Sequence, residues 1–221
     1  MPWLYTAAKG LGQFTFRAFG RLEVRGRENV PGRGSIIIVS NHLSNSDPPV
    51  VAVAMPREIS FVAKRGLFGN PFTRWLFRSL NAYPVDRDRR DVGALKWAIE
   101  HLRHGGVVLM FPEGTRSRTG GLSKAQIGVA YLAVKSQATI VPVGVTGTER
   151  VQGLWRVPFP LTKITVTFGE PFTLPNVEGE LPRAVLETLT DTIMRRIAEL
   201  LPPAYQGVYT PQTTPRERKS T

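Results

Sequence analysis

Short runs rich in Val, Ile and Phe alternate with longer stretches of helical periodicity along most of this chain. The apolar runs predict strands at 35–40, 58–63, 82–85, 106–111, 139–145 and 163–168. Helical spacing predicts helices near 48–55, 71–80, 89–104, 124–136 and 183–201. Strands that alternate with helices in this way form sheets whose two faces are both covered. We therefore predict an α/β fold with a mostly parallel, twisted sheet flanked by helices.

An amphipathic helix is predicted at residues 3–22, ahead of the sheet. Its polar face carries Lys9, Gln13, Arg17 and Arg21. The opposite face is apolar and consists of Trp3, Leu4, Ala7, Ala8, Leu11, Phe14, Ala18, Phe19 and Leu22. Such a helix either lies in a membrane interface or packs on the core of its own domain. Periodicity alone favours packing on the core.

Three parts of the chain differ in composition. Residues 1–30 form the N-terminal amphipathic segment, and residues 31–201 carry the alternating pattern of a single domain. Residues 202–221 are rich in Pro, Thr and Gln and end with three basic residues among the last six. We expect this basic tail to be disordered, because it offers few side chains for a core.

Composition excludes several kinds of chemistry. The chain of 221 residues has no cysteine, so disulfides, cysteine nucleophiles and thiolate metal sites are excluded. Its three dispersed histidines make a zinc site unfavourable, and we expect no metal. The net charge of +12 suits nucleic acid, an anionic membrane surface or a phosphorylated substrate. No apolar run approaches the ~20 residues of a spanning helix, and no secretory signal is present, so we expect an intracellular protein.

A histidine and an aspartate follow the predicted strand 35–40, with His42 five positions before Asp47. A strand that ends near a histidine brings the imidazole to the sheet edge, where loops carry chemistry. Histidine exchanges a proton near neutral pH, and a nearby aspartate can orient it and stabilise its charged form. Alternatively, Asp47 only caps a helix that starts at Pro48, and His42 is structural.

A second polar segment, residues 111–118, follows the predicted strand 106–111. Gly114 permits a tight turn, Thr115 offers a hydroxyl group, and Arg116 and Arg118 offer forked donors that suit a phosphate. Glu113 would accept hydrogen bonds from a substrate hydroxyl or from an arginine. A loop with solvated charges explains the same residues, and for an isolated segment of this kind that explanation is favoured.

A third feature is the basic stretch 64–90, which carries seven Lys or Arg and two acids. Such a run is usually a solvated surface. However, Lys64 and Arg87 each follow a predicted strand, at the edge where ligands of parallel sheets bind. Some of these residues are therefore expected to bind phosphate.

Four segments together resemble the conserved blocks of the glycerolipid acyltransferase family. Asn41-His42-x4-Asp47 resembles the catalytic His-x4-Asp block, and residues 64–74 with 83–87 resemble the second, basic block. Residues 111–118 (Phe-Pro-Glu-Gly-Thr-Arg-Ser-Arg) are similar to the third block, and 140–144 to the fourth. The resemblance spans residues 20–170 and keeps the order and spacing of the blocks.

The resemblance implies transfer of a fatty acyl group from acyl-CoA or acyl-acyl carrier protein to the sn-2 hydroxyl of 1-acylglycerol 3-phosphate. His42 is then the base, and Asp47 orients it while it also caps the helix that starts at Pro48. The implied substrate-binding residues are Lys64, Arg74, Arg87, Glu113, Gly114, Thr115 and Arg116. The thioester is a co-substrate, and no other cofactor is expected. The enzyme would bind an anionic membrane surface at the cytoplasmic face of the cell membrane, with residues 3–22 as interfacial anchor.

Other functions remain open at this point. The acceptor can be another lysolipid, glycerol 3-phosphate or another alcohol on the same fold. A catalytically silent lipid-binding protein would share the fold but would not need His42 and Asp47. A nucleic-acid-binding protein would explain the charge, but the chain contains no recognised binding motif, so we expect no nucleic-acid partner.

Overall fold

The computed structural model describes residues 2–86, 91–151, 161–177 and 179–211, which build one seven-stranded sheet with helices on both faces. The strands are β1 (Arg21–Arg25), β2 (Ile36–Ser40), β3 (Ser60–Lys64), β4 (Ala82–Val85), β5 (Val107–Met110), β6 (Thr139–Thr146) and β7 (Lys163–Phe168). The helices are α1 (Pro2–Phe19), α2 (Asp47–Ala54), α3 (Pro71–Ser79), α4 (Val92–Arg103), α5 (Gly128–Ser136), α6 (Arg183–Ala198) and α7 (Pro203–Gln206).

The strand order is β1-β7-β6-β2-β5-β3-β4, and the five strands from β6 to β4 run parallel to one another. β7 pairs antiparallel with β6, and β1 pairs parallel with β7. The prediction of a mostly parallel α/β sheet is therefore confirmed. All six predicted strands are present within two residues of their predicted bounds.

Alternate residues of the central strands fill two separate cores. Ile36 and Ile38 of β2 pack against α1 and α2, whereas Ile37 and Val39 pack beneath α4, α5 and α6. All four side chains are fully buried, as expected for a strand covered on both faces. This rigid centre fixes the position at which the chain leaves β2 and enters the predicted catalytic segment.

The N-terminal prediction is wrong in its last residues. Helix α1 ends at Phe19, and residues 21–25 form β1 rather than the end of a helix. Leu22 and Val24 pack against the core beneath α2, while the backbone of β1 pairs with β7. The segment 1–30 is therefore partly built into the sheet and does not stand apart from the domain.

Helix α1 packs on the domain through Tyr5, Thr15 and Phe16, which are buried, and Lys9 and Gln13 lie beside them. Lys9 Nζ donates to the carbonyl of Met55 (2.6 Å), and burial lowers the pKa of this amine. Gln13 Nε2 donates to the carbonyl of Val53, and the buried hydroxyl of Tyr5 accepts from the N–H of Ile59. Lys9 and Gln13 were expected on the outer side of a core-packed helix, so this orientation corrects that expectation.

The predicted apolar face of α1 is consequently exposed. Trp3, Leu11 and Phe14 keep 64%, 63% and 64% of their surface accessible. No helix in the described ranges combines the length and hydropathy needed to cross a membrane.

The expectation of a disordered tail is wrong for residues 203–211. Helix α7 is followed by one turn of 3-10 helix at 207–209, and Tyr209 is buried with only 8% of its surface exposed. Apolar contacts of Tyr205 and Tyr209 with the core beneath α6 hold this segment in place. The expectation for 212–221 concerns residues outside those described.

Candidate active site

His42 lies two residues beyond the end of β2, at the carboxyl edge of the sheet, and only 4% of its surface is exposed. The preceding residue, Asn41, fixes this segment to β6. Its Nδ2 donates to the carbonyl of Val145, and its Oδ1 accepts from the N–H of the same residue, both at 2.8 Å. The asparagine of the first block therefore has a structural task, which its position next to a histidine does not reveal.

Asp47 holds the imidazole of His42. Its Oδ2 lies 2.7 Å from Nδ1 of His42 and also accepts from the backbone N–H groups of Leu43 (2.7 Å) and Ser44 (2.8 Å). An acceptor at Nδ1 places the proton there and leaves Nε2 as the nitrogen that can take a proton from a substrate. Asp47 itself is fully buried, so this arrangement is shielded from water.

Asp47 does not occupy the N-cap position of α2, so the alternative role predicted for it is wrong. Helix α2 begins at Asp47, and Ser46 before it makes no capping bond through its side chain. The Asp47 carboxylate accepts, through Oδ2, from the N–H groups of Leu43 and Ser44, which precede α2. The carboxylate therefore closes the loop that carries His42.

Phe111 stacks on the imidazole of His42, with ring centroids 4.1 Å apart and planes inclined by 21°. Phe111 is the first residue after β5, the strand that pairs directly with β2. The adjacent strand ends thus bring the first and third blocks together. The stacked ring restricts the rotation of the imidazole, a role that the sequence motif alone does not disclose.

Glu113 holds the backbone of His42. Its Oε1 accepts from the N–H of His42 at 3.0 Å, and its Oε2 accepts from the N–H (2.9 Å) and the Oγ (2.7 Å) of Ser123. The side chain is buried, and both oxygens already have protein donors. Neither a substrate hydroxyl nor an arginine is needed to satisfy this carboxylate, although the sequence pointed to one of those partners.

A second hydrogen bond holds His42 through its backbone carbonyl group. The N–H of Ser117 donates to the carbonyl of His42 at 2.8 Å, so both backbone polar groups of His42 are held by the segment after β5. Ser123 lies outside the four blocks, and no signal in the sequence marks it. Ser117 lies inside the third block, but its contact becomes evident only in the fold.

Four residues of the third block are exposed: Gly114, Thr115, Arg116 and Arg118. Gly114 has φ +72°, a backbone conformation that favours glycine, and its N–H donates to the carbonyl of Phe111 in the predicted tight turn. Thr115 and Arg116 follow on the surface. Within the described ranges, no carboxylate forms an ion pair with Arg116. This arginine is therefore available to an anionic ligand.

The basic block is only partly described. Lys64 ends β3 and is exposed at the same sheet edge as His42, because β3, β5 and β2 run parallel. Arg74 is exposed in the first half of α3, which starts after that edge. Arg87 lies outside the described residues. Among those that are described, no group of three or more His, Asp or Glu is arranged to hold a metal ion.

Comparison with known proteins agrees with these four blocks. The sequence profile of the family described as Acyltransferase matches residues 21–146. A chloroplastic 1-acyl-sn-glycerol-3-phosphate acyltransferase of Arabidopsis thaliana is 31% identical over 147 residues, covering 65% of this chain and 41% of that protein. The 1-acyl-sn-glycerol-3-phosphate acyltransferase of Bacillus subtilis is 28% identical over 182 residues, covering 82% of this chain and 88% of that protein.

A solved structure has the same fold. The crystal structure of the 1-acyl-sn-glycerophosphate acyltransferase PlsC from Thermotoga maritima superimposes with a TM-score of 0.70 at 28% sequence identity. The match covers 90% of this chain and 80% of that protein. The matched profile includes the His42 and Asp47 segment, the basic block and the Glu113 segment. The chain therefore belongs to the acyltransferase family, and it is an enzyme resembling the 1-acyl-sn-glycerol-3-phosphate acyltransferases.

Proposed function

We propose that this enzyme transfers a fatty acyl group from an acyl thioester to the sn-2 hydroxyl of 1-acylglycerol 3-phosphate, which yields phosphatidic acid for phospholipid synthesis. The observation that carries the proposal is the buried contact of 2.7 Å between His42 Nδ1 and Asp47 Oδ2. This pair supplies a general base. Asp47 holds Nδ1 of His42, so Nε2 is the nitrogen that can take a proton from the acceptor hydroxyl. The relatives named above support the choice of acceptor.

The proposed reaction is a direct transfer. His42 Nε2 takes the proton of the acceptor hydroxyl, and the resulting oxygen attacks the thioester carbonyl. The tetrahedral intermediate collapses, the C–S bond breaks, and the imidazolium gives its proton to the leaving thiolate. The Asp47 carboxylate stabilises the imidazolium while it exists. The products are the new ester and the free thiol, and His42 returns to its neutral form.

The acceptor phosphate is proposed to bind among exposed basic residues at the carboxyl edge of the sheet. Arg116 is the strongest candidate, since it follows the turn at Gly114 and has no ion pair with any carboxylate described here. Arginine binds phosphate through two parallel donors. Thr115 adds a hydroxyl group, and Lys64, Arg74 and Arg87 would add positive charge around the site.

The donor is proposed to be acyl-CoA or acyl-acyl carrier protein, and the reaction takes no metal or other cofactor. Each proton that moves is accounted for by His42, the acceptor and the thiol. The acyl thioester carries its own activated carbonyl, so no separate activation of the acyl group is required.

The enzyme is proposed to bind an anionic membrane at its cytoplasmic face. Trp3, Leu11 and Phe14 of α1 and Phe72 and Trp75 of α3 are all exposed. Residues 60–85, which include α3, carry four basic residues and no acid. Aromatic and leucine side chains beside basic ones suit an interface of lipid headgroups and acyl chains.

One experiment tests the proposed function. Purified protein is incubated with 1-acylglycerol 3-phosphate and either acyl-CoA or acyl-acyl carrier protein, and the lipid products are identified by mass spectrometry. We expect phosphatidic acid from the wild type. We expect its formation to fall by about 10²–10⁴-fold in His42→Ala, the usual effect of removing a positioned base. Phosphatidic acid formed at the wild-type rate by His42→Ala would exclude the mechanism.

A further inference from the structure

The segment after β5 holds His42, but it has little regular structure of its own. Residues 111–127 form neither helix nor strand. Irregular segments of this length keep a defined geometry only through contacts with other parts of a protein. The C-terminal segment (residues 203–211), which the sequence predicted to be disordered, supplies such contacts.

Two backbone hydrogen bonds join the C-terminal segment to the catalytic loop (residues 117–123). The N–H of Leu122 donates to the carbonyl of Tyr205 at 2.9 Å, and the N–H of Val208 donates to the carbonyl of Leu122 at 3.1 Å. Leu122 is buried with 3% of its surface exposed, so these bonds are protected from water. Both polar backbone groups of one loop residue are therefore occupied by the C-terminal segment.

Close contact between two glycines makes this pairing possible. A Cβ atom at Gly121 would lie 2.9 Å from the Cα of Gly207. A Cβ atom at Gly207 would collide with the backbone carbonyl and N–H of Leu122, and Gly207 also has φ +52°. Any larger residue at 207 would have to separate the two segments.

The C-terminal segment is itself firmly attached. Tyr205 donates to Glu149 Oε1 at 3.0 Å, and Gln206 Nε2 donates to the carbonyls of Ala198 and Leu201 at the end of α6. Tyr209 is buried against the core beneath that helix. The catalytic loop is thus fixed to the body of the domain.

The loop passes this restraint to His42. Ser117 Oγ donates to the carbonyl of Gly121 at 2.6 Å, while Ser117 N–H donates to the carbonyl of His42. One residue after Leu122, Ser123 donates twice to Glu113, whose other oxygen accepts from the N–H of His42. These two series of hydrogen bonds begin where the C-terminal segment contacts the loop, and both end on the backbone of His42.

We propose that the C-terminal segment is a positioning element of the acyl-transfer site, which keeps the backbone of His42 in register through the catalytic loop. The proposal rests on the proposed role of His42. Misplacement of a catalytic group by about 1 Å can lower a rate by 10²-fold. Lys64 and Arg74 lie on β3 and α3, outside the loop, so loss of this support affects the rate of the chemical step more than it affects binding of the acceptor phosphate.

The test is Gly207→Ala in the full chain, with Gly34→Ala as matched control. Gly34 also has positive φ, +83°, but a Cβ there meets no atom within 4 Å. We expect Gly207→Ala to lower kcat about 10- to 100-fold with little change in the KM for 1-acylglycerol 3-phosphate. We also expect faster hydrogen exchange at the amides of His42 and Ser123. The control and a chain that ends at residue 211 should behave like the wild type.

A different result would overturn the proposal. If Gly207→Ala lowers the melting temperature but keeps the wild-type kcat and the exchange rate of His42, the segment only covers the core. If this variant does not fold, Gly121→Ala makes a milder collision at the same contact and is measured in the same way. Failure of the proposed function would be recognised separately, because His42→Ala would then remain active. Amide exchange in Gly207→Ala would still show whether the C-terminal segment supports the loop.

Discussion

Glu113 accepts a hydrogen bond from the backbone N–H of His42 at 3.0 Å, whereas the imidazole ring is held by Asp47. Its other oxygen is occupied by Ser123. The carboxylate in the most specific block of the sequence therefore holds the main chain of the proposed base. Its role is to position His42, while Asp47 acts on the ring itself.

Glu113→Gln should lower kcat about 10- to 100-fold and leave the KM for the phosphorylated acceptor nearly unchanged. The glutamine amide has one acceptor where the carboxylate has two, so it cannot accept from both His42 and Ser123, and the His42 backbone shifts. Steady-state kinetics with varied acceptor concentration separate the two parameters. A large rise in KM at constant kcat would instead make Glu113 a substrate ligand. Ser123→Ala, which keeps its backbone donor, should show the same pattern with a smaller effect.

Asp47→Asn should lower kcat by about 10²–10⁴-fold, because the neutral amide cannot stabilise an imidazolium and can donate to Nδ1. Ser46→Ala is the matched control. Ser46 is the buried neighbour of Asp47, and its Oγ has no hydrogen-bond partner in the described part of the chain. We expect wild-type activity from this control. Comparable losses in the two variants, measured with a melting curve for each, would point to general damage of the loop.

Arg116→Ala should raise the KM for 1-acylglycerol 3-phosphate by about 10- to 100-fold with a smaller change in kcat, which matches loss of a charged hydrogen bond of roughly 1.5–3 kcal/mol. Arg103→Ala controls for net charge, since Arg103 ends α4 at the opposite edge of the sheet. The assay is run at two salt concentrations, because screening weakens exposed ionic contacts. An unchanged KM in Arg116→Ala would remove this residue from the phosphate site.

Local pattern was sufficient to predict the six strands from β2 to β7, because each is a short apolar run bounded by turn residues. It was not sufficient for β1. The strand pairs with β7, whose residues lie more than 140 positions later, so the adjacent helical pattern dominated the prediction. Similarly, Tyr205 and Tyr209 find their contacts on α6 and at Glu149, which composition cannot reveal.

The candidate site was predictable as a set of residues and not as a set of contacts. Spacing pointed to His42 and Asp47 as a pair, and these two do meet. Glu113 was expected to accept from a substrate hydroxyl or from an arginine, because a carboxylate in a loop has no evident partner in sequence. Its partners His42 and Ser123 come together only when β2 and β5 lie side by side.

His101 should make folding stability depend on pH. Burial lowers the pKa of His101, and the nearby His104 lowers it further by a smaller amount. The Nε2 atom of His101 lies 3.1 Å from Ser60 Oγ. As pH falls through about 6.5, the unfolded chain takes up this proton before the folded chain does, so stability is full above that pH and declines below it. His101→Gln should reduce the loss of melting temperature between pH 7.5 and pH 5.5. His104→Gln, at an exposed position, should retain most of that loss.

Leu11→Ser combined with Phe14→Ser should weaken binding to anionic vesicles without lowering the melting temperature. Both side chains are more than 60% exposed, so the folded protein loses little packing. Insertion of each into a membrane interface contributes at least ~1.5 kcal/mol, and loss of both corresponds to roughly 100-fold weaker binding. Val92→Ser combined with Val185→Ser, on α4 and α6, is the matched control. Co-sedimentation with vesicles of anionic and of neutral lipid measures the effect.

Equal binding by the wild type and the α1 double variant would mean that the face of α1 does not enter the membrane. Among the described residues, the exposed aromatic side chains of α3, with Arg74 and Arg78 beside them, are the next candidates for the contact.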